Sequence, residues 1–496
     1  MTSNLRLPAS GALLLLATHL GLIFVPAHSV RLACATLFVF LLPGFGWVSG
    51  IWVRRGAASR LELLLLNSGL SLTLSTLTGL VFHLCGAPFT EVSFFGVLDA
   101  ISLAGLLFCG LRARLSENRP WLSLPSTRTV LSLLLLLFVT CSLRLANLGY
   151  AEFQGDEIRV LAPAQSVVLG DRGVLFAQKK GPVQTLLAAS FALTTHGFHE
   201  GDMRFPFAVA SSLAVLALYL IGREVFGPRI GLIAGLILSI EGLALAFSRV
   251  VQYQAIVLLM VTLSILCFYR ISDGQKSRDP RPYLALGILF FAMGLLAHYD
   301  TVFALPALVY LYYRRYGLAL PRKQIGVTVL ALVAAGTLLA VFYVPFLLQP
   351  QFQDTFSGYT QGKLQPGLYN NLDRYVEISG FYNSVYYVGF LCLMLVLGSW
   401  EFGYRALRSH RLAHLPGLSL GIGLIVCILW PTVLRTSRVE LGLLFVVPLL
   451  ITPCSARLGW GIGRPCGCGS SCLSRYICSC SKRRDCTTTP CHLPGL

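Results

Sequence analysis

Apolar runs of about 17 to 25 residues recur along the whole of this chain, each long enough as a helix to cross a hydrocarbon core of roughly 30 Å. Hydrocarbon offers no partner to a bare backbone N–H or C=O, which confines such a chain to helices or a closed barrel. The runs are continuous and lack the alternation of a barrel strand, so the helix is selected. Only 12% of the 496 residues are charged, against roughly 25% in a soluble domain. The expected fold class is all-α, a polytopic integral membrane protein.

About fourteen spans follow from the pattern, near 11–26, 32–52, 62–85, 92–111, 128–146, 205–222, 230–248, 251–269, 283–299, 301–313, 326–348, 382–402, 417–434 and 439–453. The first run, after Arg6, has the look of a signal peptide. Its cleavage site at Pro26-Ala-His-Ser is poor, however, and it is read as a membrane anchor. A net charge of +18 would attract nucleic acid if it formed one face, but the Lys and Arg stand in short clusters between spans. No nucleic-acid partner is expected. The clusters (Arg54/Arg55/Arg60, Arg112/Arg114/Arg119, Arg223/Arg229, Arg270/Lys276/Arg278/Arg281, Arg314/Arg315/Arg322/Lys323 and Arg405/Arg408/Arg411) fall in alternate loops, which places them and the N-terminus in the cytoplasm.

That orientation holds only if Val183 to Phe198 does not cross. The stretch is short, follows Gly181-Pro182 and contains Thr194, Thr195 and His196, so it is expected to lie at the outer interface or to re-enter. Residues 147–204 then form a long outer loop with helices of its own, and 349–381 a second. Long loops over a rigid bundle are where a membrane enzyme can place a site. Residues 454–496 depart from the pattern, carrying eight of the fifteen cysteines without hydrophobic periodicity. Their spacing lacks the paired C-x2-C of a structural zinc site. Disorder or off-frame translation, with final membrane segments lost, accounts for them better than a metal or disulfide module.

Charged groups at the outer edge of a bundle are the candidates for chemistry. In the first outer loop, Phe153-Gln-Gly-Asp-Glu-Ile-Arg159 sets Asp156 and Glu157 at a helix start. A carboxylate there can act as a general base, or it can merely satisfy the first N–H groups of the helix. Lys179 and Lys180 precede Gly181-Pro182 on a side where topology asks for no lysines. They could hold a phosphate or simply snorkel to lipid headgroups. Arg204, Arg249, Arg435 and Arg438 add cations on the same side, and Tyr253 and His298-Tyr299-Asp300 lie at the outer ends of spans. Asp373, Arg374, Tyr375, Glu377 and Tyr382 are weaker candidates in the second loop, and Glu241 falls inside a span.

The order RLANLGYAEFQGDEIRVLAPAQ, KKGPVQTLL, DMRFPFAVAS, LIGREVFGPRIGLIAGLIL, SRVVQYQAIVLLM and GLLAHYDTVFALPAL resembles polytopic glycosyltransferases of the GT-C fold. The protein O-mannosyltransferases and lipid A aminoarabinose transferases look most similar. The resemblance covers about 128–450 and is strongest before 310. It implies a polyprenyl-phosphate sugar donor and an Asp-Glu pair at the active centre. Asp156 would then be the base with Glu157 its partner, Lys180 the basic residue before the Pro-containing turn, Arg204 the Arg of an Arg-x-Pro segment and Arg249 the Arg at a helix end. Gln254 departs from the acidic residue that many relatives carry after the Tyr. The first 115 residues resemble instead a four-helix membrane module of bacterial and archaeal proteins.

These readings divide the chain into a module over 1–115, a GT-C-like domain over 128–453 and the tail. The implied reaction is transfer of a sugar from a lipid-phosphate carrier to a lipid, protein or glycan on the non-cytoplasmic face, with membrane lipid as a further partner. No cofactor is firmly implied, and a divalent metal, though compatible with such a site, has no support in the sequence. A transporter or flippase would instead call for internal repeats and charged or broken helices at the midplane. An inactive, truncated relative is the remaining alternative.

Overall fold

The structure, a computed structural model, describes residues 6–25, 27–53, 58–114, 126–171, 173–177, 180–272, 279–316 and 322–350, with short pieces at 352–353, 357, 366–369, 381–383 and 432–434. The chain is an all-α polytopic membrane protein. Its first helices are α1 (Arg6–Phe24), α2 (His28–Phe40), α3 (Leu42–Trp52), α4 (Arg60–Cys85) and α5 (Glu91–Arg114). There follow α6 (Thr127–Leu145), α7 (Gly155–Val168), α8 (Val183–Thr195), α9 (Glu200–Phe226), α10 (Pro228–Ile240), α11 (Gly242–Ser248), α12 (Gln254–Ser272) and α13 (Pro280–Ala297). After a 3-10 turn at Tyr299–Ala304 come α14 (Leu305–Tyr316) and α15 (Arg322–Leu347). Among the described residues six helices are long and apolar enough to cross a membrane, and up to eight spans result if each bent pair counts as one. The expected spans 382–402 and 439–453 lie almost wholly outside the described residues. The last three residues of 417–434 are not helical: Thr432–Leu434 pairs antiparallel with Pro366–Tyr369.

Two predicted spans are broken in the middle, and each break has a chemical cause. Leu41 separates α2 from α3 at a 42° bend, where Pro43 opens the new helix without an N–H to satisfy. Gly44 brings the backbone so close to Asn67 and Ser71 that a Cβ would overlap them, and its N–H donates to Ser71 Oγ at 2.9 Å. The second break, 63° between α10 and α11, falls at Glu241. Its carboxylate accepts from the backbone N–H groups of Leu243 and Ala244, and Asn383 Nδ2 donates to it at 3.0 Å. On the other side, Arg144 at the end of α6 donates to the carbonyls of Leu238 and Ser239 at 2.9 and 2.8 Å and to Ser211 Oγ at 3.0 Å. Both orphaned ends of the broken helix are thereby satisfied by side chains.

For helix α8 the packing separates the two expected placements. Nearly every residue from Val183 to Thr195 is buried, packed by α2, α4, α7, α9 and α13. An interfacial helix needs one polar face, whereas a helix apolar all round is enclosed by protein. At about 20 Å it is also too short to cross. It is enclosed by protein, which disfavours the interfacial placement and agrees with the re-entrant one.

At the end of the bundle opposite the segment 147–204, a second polar cluster ties the early helices to the later ones. Arg270 of α12 donates to Glu62 of α4 at 2.9 and 2.8 Å and to Glu224 of α9 at 3.1 Å. Tyr283 Oη donates to Glu62 at 2.8 Å and receives Trp52 Nε1 at 3.2 Å. The sequence read Arg270 as a topology signal only. It is in addition an interior tie, buried with Glu62.

Candidate functional site

The ends of α6, α7, α8, α9, α12 and α13 meet where the segment 147–204 begins and returns. Asn147, in the left-handed conformation with φ 50°, turns the chain out of α6. Arg249 holds that turn by donating to the carbonyls of Leu143 at 2.8 Å and Asn147 at 3.1 Å. Its guanidinium also lies 5.4 Å from the Tyr150 ring centroid.

Gln154 precedes α7, and its N–H donates to Glu157 Oε2 at 3.1 Å, one half of a capping box. Glu157 is fully buried, and Arg204 meets it with two parallel bonds, Nε to Oε1 and Nη2 to Oε2, each 2.8 Å. The remaining guanidinium N–H groups go to the carbonyls of Leu148, Ala151 and Glu152 at 2.9, 2.8 and 3.0 Å. An arginine has five N–H donors, and all five are used here. Tyr150 and Phe153 cover the guanidinium, their ring centroids 4.8 and 5.5 Å away. A third strand of the same knot is Val251, whose N–H donates to Glu157 Oε1 at 3.0 Å. This knot fixes the start of α7 against α9 and against the segment that leads into α12.

The two acidic neighbours thus have different environments. Asp156 sits half-exposed on the open side, where Arg159 Nη1 donates to Oδ1 and Gln252 Nε2 to Oδ2, both at 3.3 Å. Gln254 Nε2 in turn donates to Gln252 Oε1 at 3.1 Å. Gln252 was not among the residues singled out from sequence. Its one signal was the polar triplet Gln252-Tyr253-Gln254 interrupting two apolar runs.

Tyr253, next in sequence to Gln252, begins an aromatic column. Tyr253 stacks on His298 at 3.7 Å with the planes 6° apart, and Tyr299 packs on His298 at 3.9 Å. Tyr253 Oη donates to Asp300 Oδ2 at 3.4 Å, while His298 Nδ1 accepts the Asp300 backbone N–H at 3.2 Å. Lys180 Nζ lies 5.0 Å from the Tyr253 centroid, a cation–π contact. The next residue, Gly181, packs directly on the end of α13, where a Cβ would overlap the Leu296 carbonyl. The structure therefore brings Asp156, Lys180, Tyr253, His298, Tyr299 and Asp300 to one end of the bundle, with Glu157, Arg204 and Arg249 behind them. Lys179, Arg435, Arg438, Asp373, Arg374, Tyr375 and Glu377 lie outside the described residues. Among the described residues no group of three or more His, Cys, Asp or Glu side chains is arranged to hold a metal ion.

Residues 179–347 match the family model of dolichyl-phosphate-mannose-protein mannosyltransferases. The match supports the resemblance to GT-C glycosyltransferases. It begins at the lysine pair and ends with α15, so it includes the Lys180 loop, Arg204, Arg249 and the aromatic column. At the family level it supports a multi-pass membrane glycosyltransferase that takes its sugar from a polyprenyl-phosphate donor. No curated protein and no solved structure matches the chain.

Proposed function

We propose that the protein transfers a sugar from a polyprenyl-phosphate carrier to a hydroxyl of a lipid, protein or glycan on the non-cytoplasmic face, with Asp156 as general base. The supporting observation is the division of labour within the acidic pair. Glu157 is consumed by Arg204, whereas Asp156 is half-exposed and bonded to Gln252, the residue before the Tyr253 that carries Lys180. In the reaction, Asp156 takes the proton of the acceptor O–H as that oxygen bonds to the anomeric carbon. The carbon–oxygen bond to phosphate breaks, its electron pair leaves with the polyprenyl phosphate, and the anomeric centre inverts once. Lys180, with Lys179 beside it in sequence, neutralises the leaving phosphate. Arg204 and Arg249 act through the backbone they hold.

The N-terminus and the Arg270 end face the cytoplasm in this reading, following the basic loops. Broken helices would favour a transporter. Here, however, the α10–α11 break is filled by Arg144, Glu241 and Asn383, leaving the freed backbone groups there in protein hands. The test is transfer of radiolabelled sugar from polyprenyl-phosphate donors to membrane lipid, protein and polysaccharide fractions, with Asp156→Asn in parallel. Label that depends on Asp156 is the expected result. Full transfer by Asp156→Asn would remove the base from the mechanism.

A further inference from the structure

At the Arg270 end of the bundle the early and late helices leave a groove between them. Ile51 of α3 and Arg112 of α5 line it from one side, and Arg281, Pro282 and Ala285 of α13 with Val327 of α15 from the other, around a volume of about 550 Å³. All six residues stand within two turns of a helix end, so the groove opens at the helix ends and reaches inward by about 10 Å at most. Trp52 and Tyr283, the chain neighbours of Ile51 and Pro282, join the two sides through a hydrogen bond of 3.2 Å and an edge-to-face ring contact at 5.2 Å.

The lining has two chemistries. Ile51, Pro282, Ala285 and Val327 offer hydrocarbon, while Arg112 and Arg281 bring guanidinium groups from two distant parts of the chain. Asp279 orients Arg281 by accepting from its Nε and Nη2 at 2.9 Å each, which leaves three of its five N–H donors outside that pair. Arg112 rests on the Phe108 ring, 5.4 Å from the centroid, and no carboxylate among the described residues pairs with it. The positive-inside rule accounts for arginines at this end, but not for two of them lining one groove with an apolar bed. A soluble anion would meet the arginines and leave the hydrocarbon bare. A phospholipid satisfies both, with phosphodiester oxygens on the guanidinium forks and the glycerol and first methylenes against the apolar bed. A zwitterionic headgroup would bring a further cation to a site that already holds two, so charge selects an anionic one. We propose that this groove binds the headgroup of an anionic glycerophospholipid from the adjacent leaflet, and that the bound lipid clasps α5 to α13 across the seam. In the orientation adopted above that leaflet is the cytoplasmic one, and the site is separate from Asp156 and its chemistry.

The experiment uses the full chain, delipidated in a neutral detergent and titrated with phosphatidylglycerol or phosphatidylcholine of matched acyl chains. Bound lipid is counted by native mass spectrometry, and survival of heating is read by size-exclusion chromatography. One tightly held phosphatidylglycerol per chain is expected, with better survival than in phosphatidylcholine. Arg112→Gln and Arg281→Gln should each weaken that binding about fivefold, the contribution of roughly one basic residue at an anionic surface, and about twenty-five-fold together. Arg112→Lys, which keeps the charge, should retain most of the binding and guards against a misfolded Gln variant. Ala285→Trp keeps both arginines but fills the groove, so it should lose the lipid too. Removing two charges from the end of α14, with Arg314→Gln and Arg315→Gln, should leave the tight site intact. Equal binding of the two lipids by wild-type protein, full binding by Ala285→Trp, or an equal loss from the α14 pair would overturn the proposal. Equal protection by sodium phosphate in phosphatidylcholine would also overturn it, since an anion alone would then suffice. Transfer is not the readout, so failure here leaves the Asp156 reading untouched, and an active Asp156→Asn leaves this one untouched.

Discussion

Arg204→Met should be among the most damaging single changes in the chain, and the reason can be counted bond by bond. The substitution keeps an apolar stem but removes five donors, two of them to Glu157 and three to carbonyls of the 148–152 turn. Breaking a buried pair by deleting one member costs about 3–5 kcal/mol, because the other charge is left without compensation. That is comparable with much of the stability of a typical domain, about 5–15 kcal/mol. Glu157→Gln should be milder: its single amide oxygen keeps an acceptor for one of the two backbone N–H groups, Gln154 or Val251, and for one Arg204 N–H, while Arg204 still has its three carbonyls. The double variant Glu157→Leu with Arg204→Met removes both charges and should be more stable than Arg204→Met alone, since apolar replacement of a whole buried pair is often tolerated. The assay is the fraction of monodisperse protein surviving a heating series in detergent, followed by size-exclusion chromatography. The expected order is wild type, then Glu157→Gln or the double variant, then Arg204→Met. Wild-type survival of Arg204→Met would refute the reasoning. So would a Glu157→Gln protein that heats like wild type yet has lost only kcat, because that pattern puts Glu157 in the chemistry instead of behind it.

Three further outcomes are expected. Lys180→Met should raise KM for the lipid-phosphate donor about tenfold in the transfer assay, as a lost charge-assisted contact to phosphate would. Gly181→Ala should reduce transfer by a similar factor with Lys180 intact, because relieving the overlap with Leu296 shifts the loop that carries the lysine; unchanged kinetics would count against the Lys180 placement. Arg270→Met, at the opposite end of the bundle, should lower thermal survival as Arg204→Met does, through the charge stranded on Glu62. The protein that survives should keep wild-type KM.

The helical class was legible in the apolar runs, because hydrocarbon leaves few backbone solutions. The breaks inside two of those runs were less so. Pro43 and Gly44 were visible in the second run, but Glu241 could be recognised as a helix cap only with Arg144 and Asn383 in view, about 95 and 142 residues away in sequence. Helix α8 was left between two placements for a related reason: shortness and a few polar residues are compatible with an interface or with re-entry, and only its neighbours show that it is enclosed. The Asp156-Glu157 pair stood out, yet two adjacent carboxylates look alike in sequence. Glu157 falls at the third helical position behind Gln154, where a capping role is ordinary. Its partner Arg204 comes 47 residues later, and nothing local connects the two. Gln252 escaped notice because an amide carries no charge and so raises no alarm at a membrane boundary.

The sequence divides the chain into a module over 1–115 and a domain over 128–453, and in the structure helices of the two parts pack against one another. Helix α4 touches α8, α9, α12 and α13, so it lies among the helices that carry the site. Its Glu62 has no exposed surface and depends on Arg270 and Tyr283 of the later helices for its hydrogen bonds. At the other end of the bundle, His28 of α2 meets Asp202 of α9 at 2.6 Å, and Arg31 of α2 bonds His196 at the end of α8. Asp202 lies two residues before Arg204, so the module reaches the outer loop next to the knot that fixes Asp156. Cutting the chain before residue 127 would leave Arg270 with one of its two carboxylate partners and strip α8 of two of the helices that enclose it. A chain of residues 127–496 expressed alone should therefore yield little monodisperse protein, and co-expression with 1–126 should restore it. Full recovery of folded, active protein from 127–496 by itself would show that the later helices close their own core without α4.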